Sequence, residues 1–351
     1  TKKIRYEVVT ELKKVKHEYQ PMLSLDKTKS VDDVIKFLDG RDGVIMAKMD
    51  GLTCSLRYLN GELVTDLIIP GGVKKIPNNA FHGCTNIKSV VIGKDIEYIG
   101  GHAFAECSNL TNVIIPDTDH VIDLASNVFS QCPSLVNVTL GNSITKIPLY
   151  TFLNCSTIEC ITIPETITEI DKYAFAGCSS LASINIPEGV TSIRDNAFFR
   201  CSSLTSINIP EGVTYIGVYA FFRCSSLTSI NIPESATSIG IYAFCDCSSL
   251  TSINIPKGVI SIESFTFNGC SSLTNITIPE SVTSIKWNAF NGCTSLESIH
   301  CEPTTPPTLG SKALADTSAL SAIYVPMESV EAYKAAEGWR DYASAIVGYD
   351  F

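Results

Sequence analysis

Hydrophobic and polar residues alternate in short stretches that return about every 23 residues along most of the chain. In the stretch LTSINIP, Ile207 and Ile209 alternate with Ser206 and Asn208. A period of two places the isoleucines on one face of a β-strand and the serine and asparagine on the other. Because proline lacks a backbone N–H, Pro210 ends the strand. The pattern predicts short strands with an inward apolar face and an outward polar face.

Cysteine marks the period. It recurs ten times in steps of 23, 25 and then seven times 23, with Phe three residues before it and Leu or Ile three residues after it. The ten positions are Cys84, Cys107, Cys132, Cys155, Cys178, Cys201, Cys224, Cys247, Cys270 and Cys293. This spacing is a structural period, and it lacks the paired Cys or His ligands of a zinc site. We therefore expect buried thiols that form neither disulfides nor a metal site, with Cys54, Cys160 and Cys301 more accessible.

One such repeat cannot bury its apolar face alone, whereas stacked repeats share a continuous core. The fold class predicted is a mainly β repeat protein, a solenoid with 23-residue repeats and about twelve rungs. The first strand is expected at 64–70 and the last at 320–326, where Thr317 takes the cysteine position. Two additional residues in the stretch DTDH, at 117–120, predict a bulging loop.

The repeated Phe, Cys, Leu and Pro positions resemble the BspA-like class of leucine-rich repeat proteins over about 64–326. The tail IYVPMESVEAYKAAEGWRDY also resembles the endings of such proteins from gut bacteria. We expect a short helical cap over 328–336, with Val330, Tyr333 and Trp339 on the last rung and Gly338 ending the helix. The resemblance implies a surface-exposed protein that binds macromolecules or mediates adhesion.

Residues 15–64 resemble the start of the adenylation domain of NAD-dependent DNA ligases. The stretches VKHEYQPMLSLDKT, VDDVIKFL and KMDGLTCSLRYLNGELV carry this resemblance. It implies that Lys48 stands where the family's lysine attacks the α-phosphate of NAD, with Asp50 beside it. Met46 replaces the family's usual acidic residue, and the later motifs for phosphates, base and metal are absent. We therefore expect no catalysis; Lys48 and Asp50 serve only the alternative hypothesis of a nucleotide-binding or self-adenylating protein.

The ligase-like segment is instead expected to form a small α+β cap. Asn60-Gly61 is a strong hairpin signal, and the second hairpin strand continues into the first rung. The predicted domains are 1–63 as the ligase-like cap, 64–326 as the solenoid and 327–351 as the C-terminal helical cap.

Outward strand positions supply the candidate ligand-binding residues, because they form a polar, uncharged and short-chained surface. They are Asn137, Thr139, Ser183, Asn185, Ser206, Asn208, Ser229, Asn231, Ser252, Asn254, Asn275 and Thr277. Cys160, Thr162, Ser298 and His300 continue the pattern without an acid/base pair. Val91 and Ile114 are apolar at the same positions, so this patch either contacts a ligand or lies under the N-terminal segment.

Charge and composition limit the classes of partner that the sequence predicts. The formal net charge is −10; residues 1–64 carry 12 basic and 10 acidic side chains, and the remainder carries 14 and 26. An acidic surface repels phosphate, so nucleic acid is not expected as a partner. The sequence contains no run of about 18 apolar residues, so it predicts no membrane-spanning helix. The sequence begins at Thr1 without a visible signal peptide, and we expect a processed or trimmed product.

The sequence thus predicts a non-enzymatic recognition or adhesion protein without cofactors, located at the cell surface or secreted. Its expected partner is a protein, host matrix proteins included, or a glycan. A self-adenylating protein and a scaffold without a specific ligand are the alternatives.

Overall fold

The computed structural model describes the backbone of residues 5–6, 43–49, 52–59 and 62–350, and the side chains of residues 66–350. The chain separates into two compact units, Thr1–Ile144 and Thr145–Phe351. Both units contain short parallel strands that repeat at the predicted spacing, and the first unit begins with antiparallel strands. The repeat pattern of the sequence gives no sign of this boundary between residues 144 and 145. The domain limits predicted at 63/64 and 326/327 stay predictions.

The described part of the first unit contains ten strands. In chain order they are β1 Arg5–Tyr6, β2 Gly43–Met49, β3 Leu52–Leu59, β4 Glu62–Ile68, β5 Lys75–Ile76, β6 Ser89–Val91, β7 Tyr98–Ile99, β8 Asn112–Ile115, β9 Asp123–Leu124 and β10 Asn137–Leu140. One sheet has the order β1-β2-β3-β4-β6-β8-β10, and β5-β7-β9 form a second sheet.

The strand β4 joins the ligase-like segment to the first repeat, as the sequence predicts. It pairs antiparallel with β3, with Leu59 opposite Glu62. It also pairs parallel with β6, with Leu67 opposite Val90. A single strand therefore ends the hairpin and begins the repeats.

The second unit continues the same pattern in its described residues. Its strands are β11 Lys146–Ile147, β12 Cys160–Ile161, β13 Glu169–Ile170, β14 Ser183–Asn185, β15 Ser192–Ile193, β16 Ser206–Asn208, β17 Tyr215–Ile216, β18 Ser229–Asn231, β19 Ser238–Ile239, β20 Ser252–Ile253, β21 Ser261–Ile262, β22 Asn275–Ile278, β23 Ser284–Ile285, β24 Ser298–Cys301, β25 Thr308–Leu309, β26 Ala322–Pro326 and β27 Ile346–Tyr349. The sheet orders are β12-β14-β16-β18-β20, β22-β24-β26-β27, β11-β13-β15-β17-β19 and β21-β23-β25. The solenoid with 23-residue spacing and about twelve turns is confirmed.

Each turn buries the residues that the pattern places inward. Ile207 is 7% exposed and Ile209 is 2% exposed, whereas Ser206 and Asn208 are exposed. The repeat phenylalanines of the second unit, from Phe152 to Phe290, are fully buried and stack with ring centroids 5.3–5.7 Å apart. The core of each unit is therefore a row of aromatic rings flanked by isoleucines.

Two residues in a typical turn adopt the left-handed backbone conformation, which the sequence pattern did not reveal. In one turn they are Asn196 and Arg200, both at φ 58°. Other turns place Gly177 and Gly269 at the second of these positions. Glycine or asparagine tolerates this conformation best, yet Tyr219 and Arg223 adopt it as well. The stacking of identical turns therefore fixes a backbone that single residues would not choose.

The inserted loop at 117–120 is present. There the Nε2–H of His120 donates to the carbonyl of Ile96 at 2.8 Å, and its Nδ1 lies 2.8 Å from a carboxylate oxygen of Asp119. Hydrogen bonding to Asp119 and to the carbonyl of Ile96 raises the pKa of His120. The loop is thus tied back to the preceding turn.

The C-terminal cap contains the predicted helix and an additional strand. A 3₁₀ turn, Met327–Ser329, precedes the helix α1, Val330–Ala335, and a second 3₁₀ turn spans Trp339–Tyr342. Tyr333 and Trp339 are fully buried, and the indole N–H of Trp339 donates to the carbonyl of Pro307 at 2.7 Å. Gly338 has φ 81°, which favours glycine.

The strand β27 was missed, and Val330 is only half-buried. The four residues of β27 pair parallel with β26, with Ile323 opposite Ile346. Its short IVGY pattern lacks the Phe and Cys markers of the repeats.

Candidate recognition face

The outward residues of strands β14, β16, β18 and β20, together with those of β22, form what we call the polar row. Its members are Ser183, Asn185, Ser206, Asn208, Ser229, Asn231, Ser252, Asn254, Asn275 and Thr277, and all except the half-buried Asn254 are exposed. Equivalent residues lie opposite one another on paired strands, as in Ser206 with Ser229 and Asn208 with Asn231. The predicted outward placement is therefore confirmed, whereas ligand binding by these residues stays a prediction.

The hydrogen-bonding groups of the central polar row are available. Within residues 66–350, the side chains of Ser206, Asn208, Ser229 and Asn231 form no hydrogen bond with another protein group. The threonines beside the row differ, because Thr205 donates its hydroxyl proton to the carbonyl of Ala182 at 3.1 Å and Thr228 to that of Thr205 at 3.2 Å. An amide offers two donors and an acceptor, and a serine hydroxyl offers both kinds of group.

Asn254 is the exception within the row. Its side-chain oxygen accepts the backbone N–H of Ile232 at 2.9 Å, and its amide nitrogen donates to the Ile232 carbonyl at 2.6 Å. The side chain therefore replaces a strand bond, since β20 ends at Ile253. This residue, predicted as a ligand contact, is engaged in the fold.

The corresponding face of the first unit is less polar. Asn137 and Thr139 are exposed, and the Asn137 amide donates to the side-chain oxygen of Asn112 at 2.6 Å. Beside them Ile114 is 43% exposed, and Val91 lies between it and Ile68 on the paired strands. The side chains of the N-terminal segment expected to cover this patch lie outside the described residues, so that interpretation stays a prediction.

Negative side chains border the polar row. Glu188, Glu211 and Glu234 each follow the proline that ends a strand, and all three are exposed. They recur on three consecutive turns of the second unit, and the exposed Lys257 occupies the equivalent position on the next turn. Like charges repeated at this spacing produce a negative potential along one edge of the face.

An aromatic cluster lies at the C-terminal end of the same face. Thr277, His300, Tyr324 and Val347 occupy paired positions on β22, β24, β26 and β27. The His300 and Tyr324 rings are 4.6 Å apart at 31°, and Tyr349 stands nearly perpendicular to His300, with centroids 5.7 Å apart. His300 is thus part of an aromatic cluster, which the sequence could not show without the register of β27.

The buried repeat cysteines are neutral thiols. Cys201, Cys224 and Cys270 are fully buried, and desolvation raises their pKa well above the ordinary value. Cys160 is exposed, as expected. Cys301, expected to be accessible, is fully buried, because the cap covers it and the Tyr333 hydroxyl donates to its sulfur at 3.3 Å. Cys54 lies outside the described side chains.

Lys48 lies in strand β2, opposite Thr53 on β3. Its side chain and Asp50 lie outside the described residues. The two lysines of the first repeat are engaged with other side chains. The Lys74 ammonium is 2.7 Å from a Glu97 carboxylate oxygen, and that of Lys75 lies 4.7 Å from the centre of the Tyr98 ring. The Glu97 carboxylate raises the pKa of Lys74.

Two features are absent from the described part of the chain, a metal-binding cluster and a membrane-spanning helix. Residues 66–350 contain no group of three or more His, Cys, Asp or Glu side chains that could hold a metal ion. No helix in the described part of the chain is long and apolar enough to cross a membrane.

A family model for the BspA type leucine rich repeat region matches six copies, over residues 58–156, 103–228 and 216–336. The chain belongs to this family. The Phe, Cys and Ile positions that form the buried core recur throughout the matched region of this BspA-type chain.

Two solved structures align with most of the chain. The pneumococcal vaccine antigen PcpA aligns with a TM-score of 0.51 and 19% identity, over 82% of this BspA-type chain and 80% of PcpA. A leucine rich cell surface protein from Faecalibacterium prausnitzii A2-165 has a TM-score of 0.46 and 24% identity, covering 87% of this chain and 98% of its own. At 19% identity, the likeness to PcpA shows the fold alone.

The N-terminal segment matches DNA ligases. The ligase of Lachnoclostridium phytofermentans is 53% identical over 64 residues, and that of Ruminiclostridium cellulolyticum is 46% identical over 61 residues. These matches cover 18% and 17% of the BspA-type chain, and only 10% and 9% of the ligases. The resemblance to DNA ligases is thus confirmed as a short, partial one.

Proposed function

We propose that this BspA-type chain is a non-enzymatic recognition or adhesion protein that binds a macromolecule through the polar row. The observation that carries the proposal is the set of exposed amides and hydroxyls on β16 and β18 that form no hydrogen bond inside residues 66–350. Such groups can exchange water for a ligand without breaking a bond of the fold. The family supports a location at the cell surface or in the secreted fraction. Proteins, including host matrix proteins, and glycans are the partner classes.

The test is a binding panel of matrix proteins and glycans presented to the full chain. Ser229→Asp places a charge on the polar row, and Ser238→Asp places the same charge on an exposed serine of the other sheet. We expect Ser229→Asp to weaken binding at least about tenfold, which corresponds to about 1.4 kcal/mol. We expect Ser238→Asp to bind like the parent. Equal binding by both variants, or no binding across the panel, would contradict the proposal.

A second candidate function rests on the ligase match. The 53% identity over 64 residues supports the hypothesis, taken from the resemblance of residues 15–64, that Lys48 stands where ligases carry their nucleophile. Adenylation requires several donors for the phosphates of NAD together with a positioned nucleophile. Lys74 and Lys75, the nearest cationic residues of the first repeat, already contact Glu97 and Tyr98. These contacts support an inert segment over a self-adenylating one. A scaffold without a ligand is the remaining alternative.

A further inference from the structure

We propose that the polar row and the cluster of His300, Tyr324 and Tyr349 form one binding site for a neutral, linear oligosaccharide or polysaccharide. This inference rests on the proposed function and names the chemistry of its ligand. It depends on four features of the second unit: repeated hydrogen-bonding groups, the absence of charge on the row, the aromatic cluster, and the position of the exposed apolar residues.

The polar row repeats the same pair of groups at the strand spacing. Ser183 and Asn185 lie opposite Ser206 and Asn208, and these lie opposite Ser229 and Asn231. Neighbouring strands are about 4.8 Å apart, a distance of the size of one pyranose ring. A sugar hydroxyl both donates and accepts hydrogen bonds, as do an asparagine amide and a serine hydroxyl. A linear sugar chain across the strands would thus meet equivalent partners at successive rings.

Charge selects a neutral polymer. From Ser183 to Thr277 no outward residue of the row is ionisable. The exposed Glu188, Glu211 and Glu234 border the row beside β14, β16 and β18, and their negative potential repels carboxylated, sulfated or phosphorylated polymers there. A neutral glycan experiences no such penalty.

The aromatic cluster supplies the apolar contact that sugar rings use. Tyr324 is half-buried and Tyr349 is 45% exposed, so both rings are reachable from the solvent. The plane of the Tyr349 ring makes an angle of 89° with that of His300 and 62° with that of Tyr324. The Tyr349 ring therefore stands upright beside the other two rings. The C–H face of a sugar can pack on an exposed aromatic ring, and a tyrosine adds a hydroxyl for hydrogen bonding.

A protein partner fits this face less well. Stable protein interfaces are centred on large apolar or aromatic side chains that enter pockets of the partner. The centre of the polar row carries only serine and asparagine. The large exposed apolar residues Trp287 and Ile260, at 51% and 55%, lie outside the row's strands, beside β23 and β21. Small polar groups repeated on successive strands favour an extended glycan.

The test is affinity electrophoresis of the full chain in gels containing one soluble polysaccharide each. The neutral probes are a mixed-linkage β-glucan, a galactomannan, an arabinoxylan and starch, and dextran sulfate is the polyanionic control. We expect retardation by at least one neutral probe and none by dextran sulfate. Because the contacts are uncharged, raising the salt from about 0.05 to about 0.5 M should change the retardation less than about twofold.

Three variants locate the site. Tyr324→Ala should weaken retardation about tenfold through loss of ring contact. Asn208→Asp changes the charge of an exposed side chain without changing its size. It should weaken the retardation by a similar factor, and it leaves the core unchanged. Trp287→Ala removes an exposed aromatic ring outside the row and should bind like the parent. Thermal unfolding of each variant confirms that the fold persists.

The outcomes separate this inference from the proposed function. No retardation by any neutral probe, retardation that disappears with salt, or parent-like binding by both Tyr324→Ala and Asn208→Asp would overturn the glycan site. Suppose that no neutral probe retards the chain, while a matrix protein of the earlier panel binds it and Ser229→Asp abolishes that binding. The proposed function then stands and the glycan inference fails.

Discussion

At the scale of single residues, the repeat cysteine both fills core volume and donates a hydrogen bond. The Cys224 thiol donates to the carbonyl of Phe198 at 3.2 Å, and the Cys201 thiol does the same to Phe175. The sequence predicts a small apolar residue at this position but not the bond, because its partner is a backbone atom of the preceding turn. Thr317 shows what changes without cysteine: its hydroxyl donates to Leu314 within its own turn.

We expect Cys201 and Cys224 to resist modification in the folded protein, while Cys160 reacts. The first two are fully buried and Cys160 is exposed. Alkylation under native conditions followed by peptide mass mapping measures this. Cys160→Ser is the control and should remove the label at 160 without adding another. Rapid labelling of Cys224 would contradict its place in the core.

The same thiols predict a dependence of stability on alkaline pH. Burial raises the pKa of Cys178 from 9.0 to about 12. The folded state therefore retains the proton that the unfolded state loses, so the stabilisation is complete below pH 9.0 and declines as the pH rises towards 12. Urea unfolding across this range should show the decline, and Cys178→Ala should reduce its slope. An unchanged slope would contradict a buried neutral thiol.

Phe221→Ala should lower the free energy of unfolding by about 3–5 kcal/mol, the usual range for a buried aromatic residue. Its ring is fully buried and stacks between Phe198 and Phe244, with centroids 5.5 and 5.3 Å away. Ser206→Ala, on the exposed face, should change stability by less than about 1 kcal/mol. Urea unfolding of both variants measures the difference, and equal losses would mean that the two faces are misassigned.

At the scale of elements, the regular strands could be predicted and their local departures could not. The alternation of Ile with Ser or Asn predicts β16 and β18 because each repeat carries the same signal. Asn254 has the same neighbours in the sequence as Asn231, yet its side chain turns onto the backbone of Ile232. The strand β27 gave no signal, because its residues follow the cap and not the repeat.

Asn254→Ala should destabilise the protein by about 1–3 kcal/mol, since the N–H and the carbonyl of Ile232 would both lose their partner. Asn231→Ala is the matched control on the preceding strand and should cost less than about 1 kcal/mol, because its side chain is exposed. Thermal and urea unfolding measure both. A neutral Asn254→Ala would show that water satisfies Ile232 equally well.

At the scale of the whole molecule, the period determines the fold, whereas the candidate site depends on contacts that no period contains. Repetition predicts the strands, the aromatic core and the polar row. The cluster of His300, Tyr324 and Tyr349 depends on the register of β26 and β27, and the burial of Cys301 depends on Tyr333 in the cap. The neighbours of residues that depart from the repeat can therefore be identified only in the folded structure.

The ligase-like segment should remain unmodified by nucleotide. Incubation of the full chain with NAD and a divalent metal should add no AMP mass, because the sequence retains only Lys48 and Asp50 of the ligase site. Intact mass spectrometry measures this. Lys48→Ala should unfold at the same temperature as the parent. An AMP adduct that is lost in Lys48→Ala would establish the self-adenylating alternative.

The bonds between turns also determine when a turn can be completed during synthesis. The N–H of Phe198 donates to the carbonyl of Ala220 at 2.9 Å, and the carbonyl of Phe198 accepts the thiol of Cys224. Both partners belong to the following turn. On a ribosome, the turn around Phe198 therefore stays incomplete until residue 224 has emerged, so that each turn becomes the template on which the next one closes.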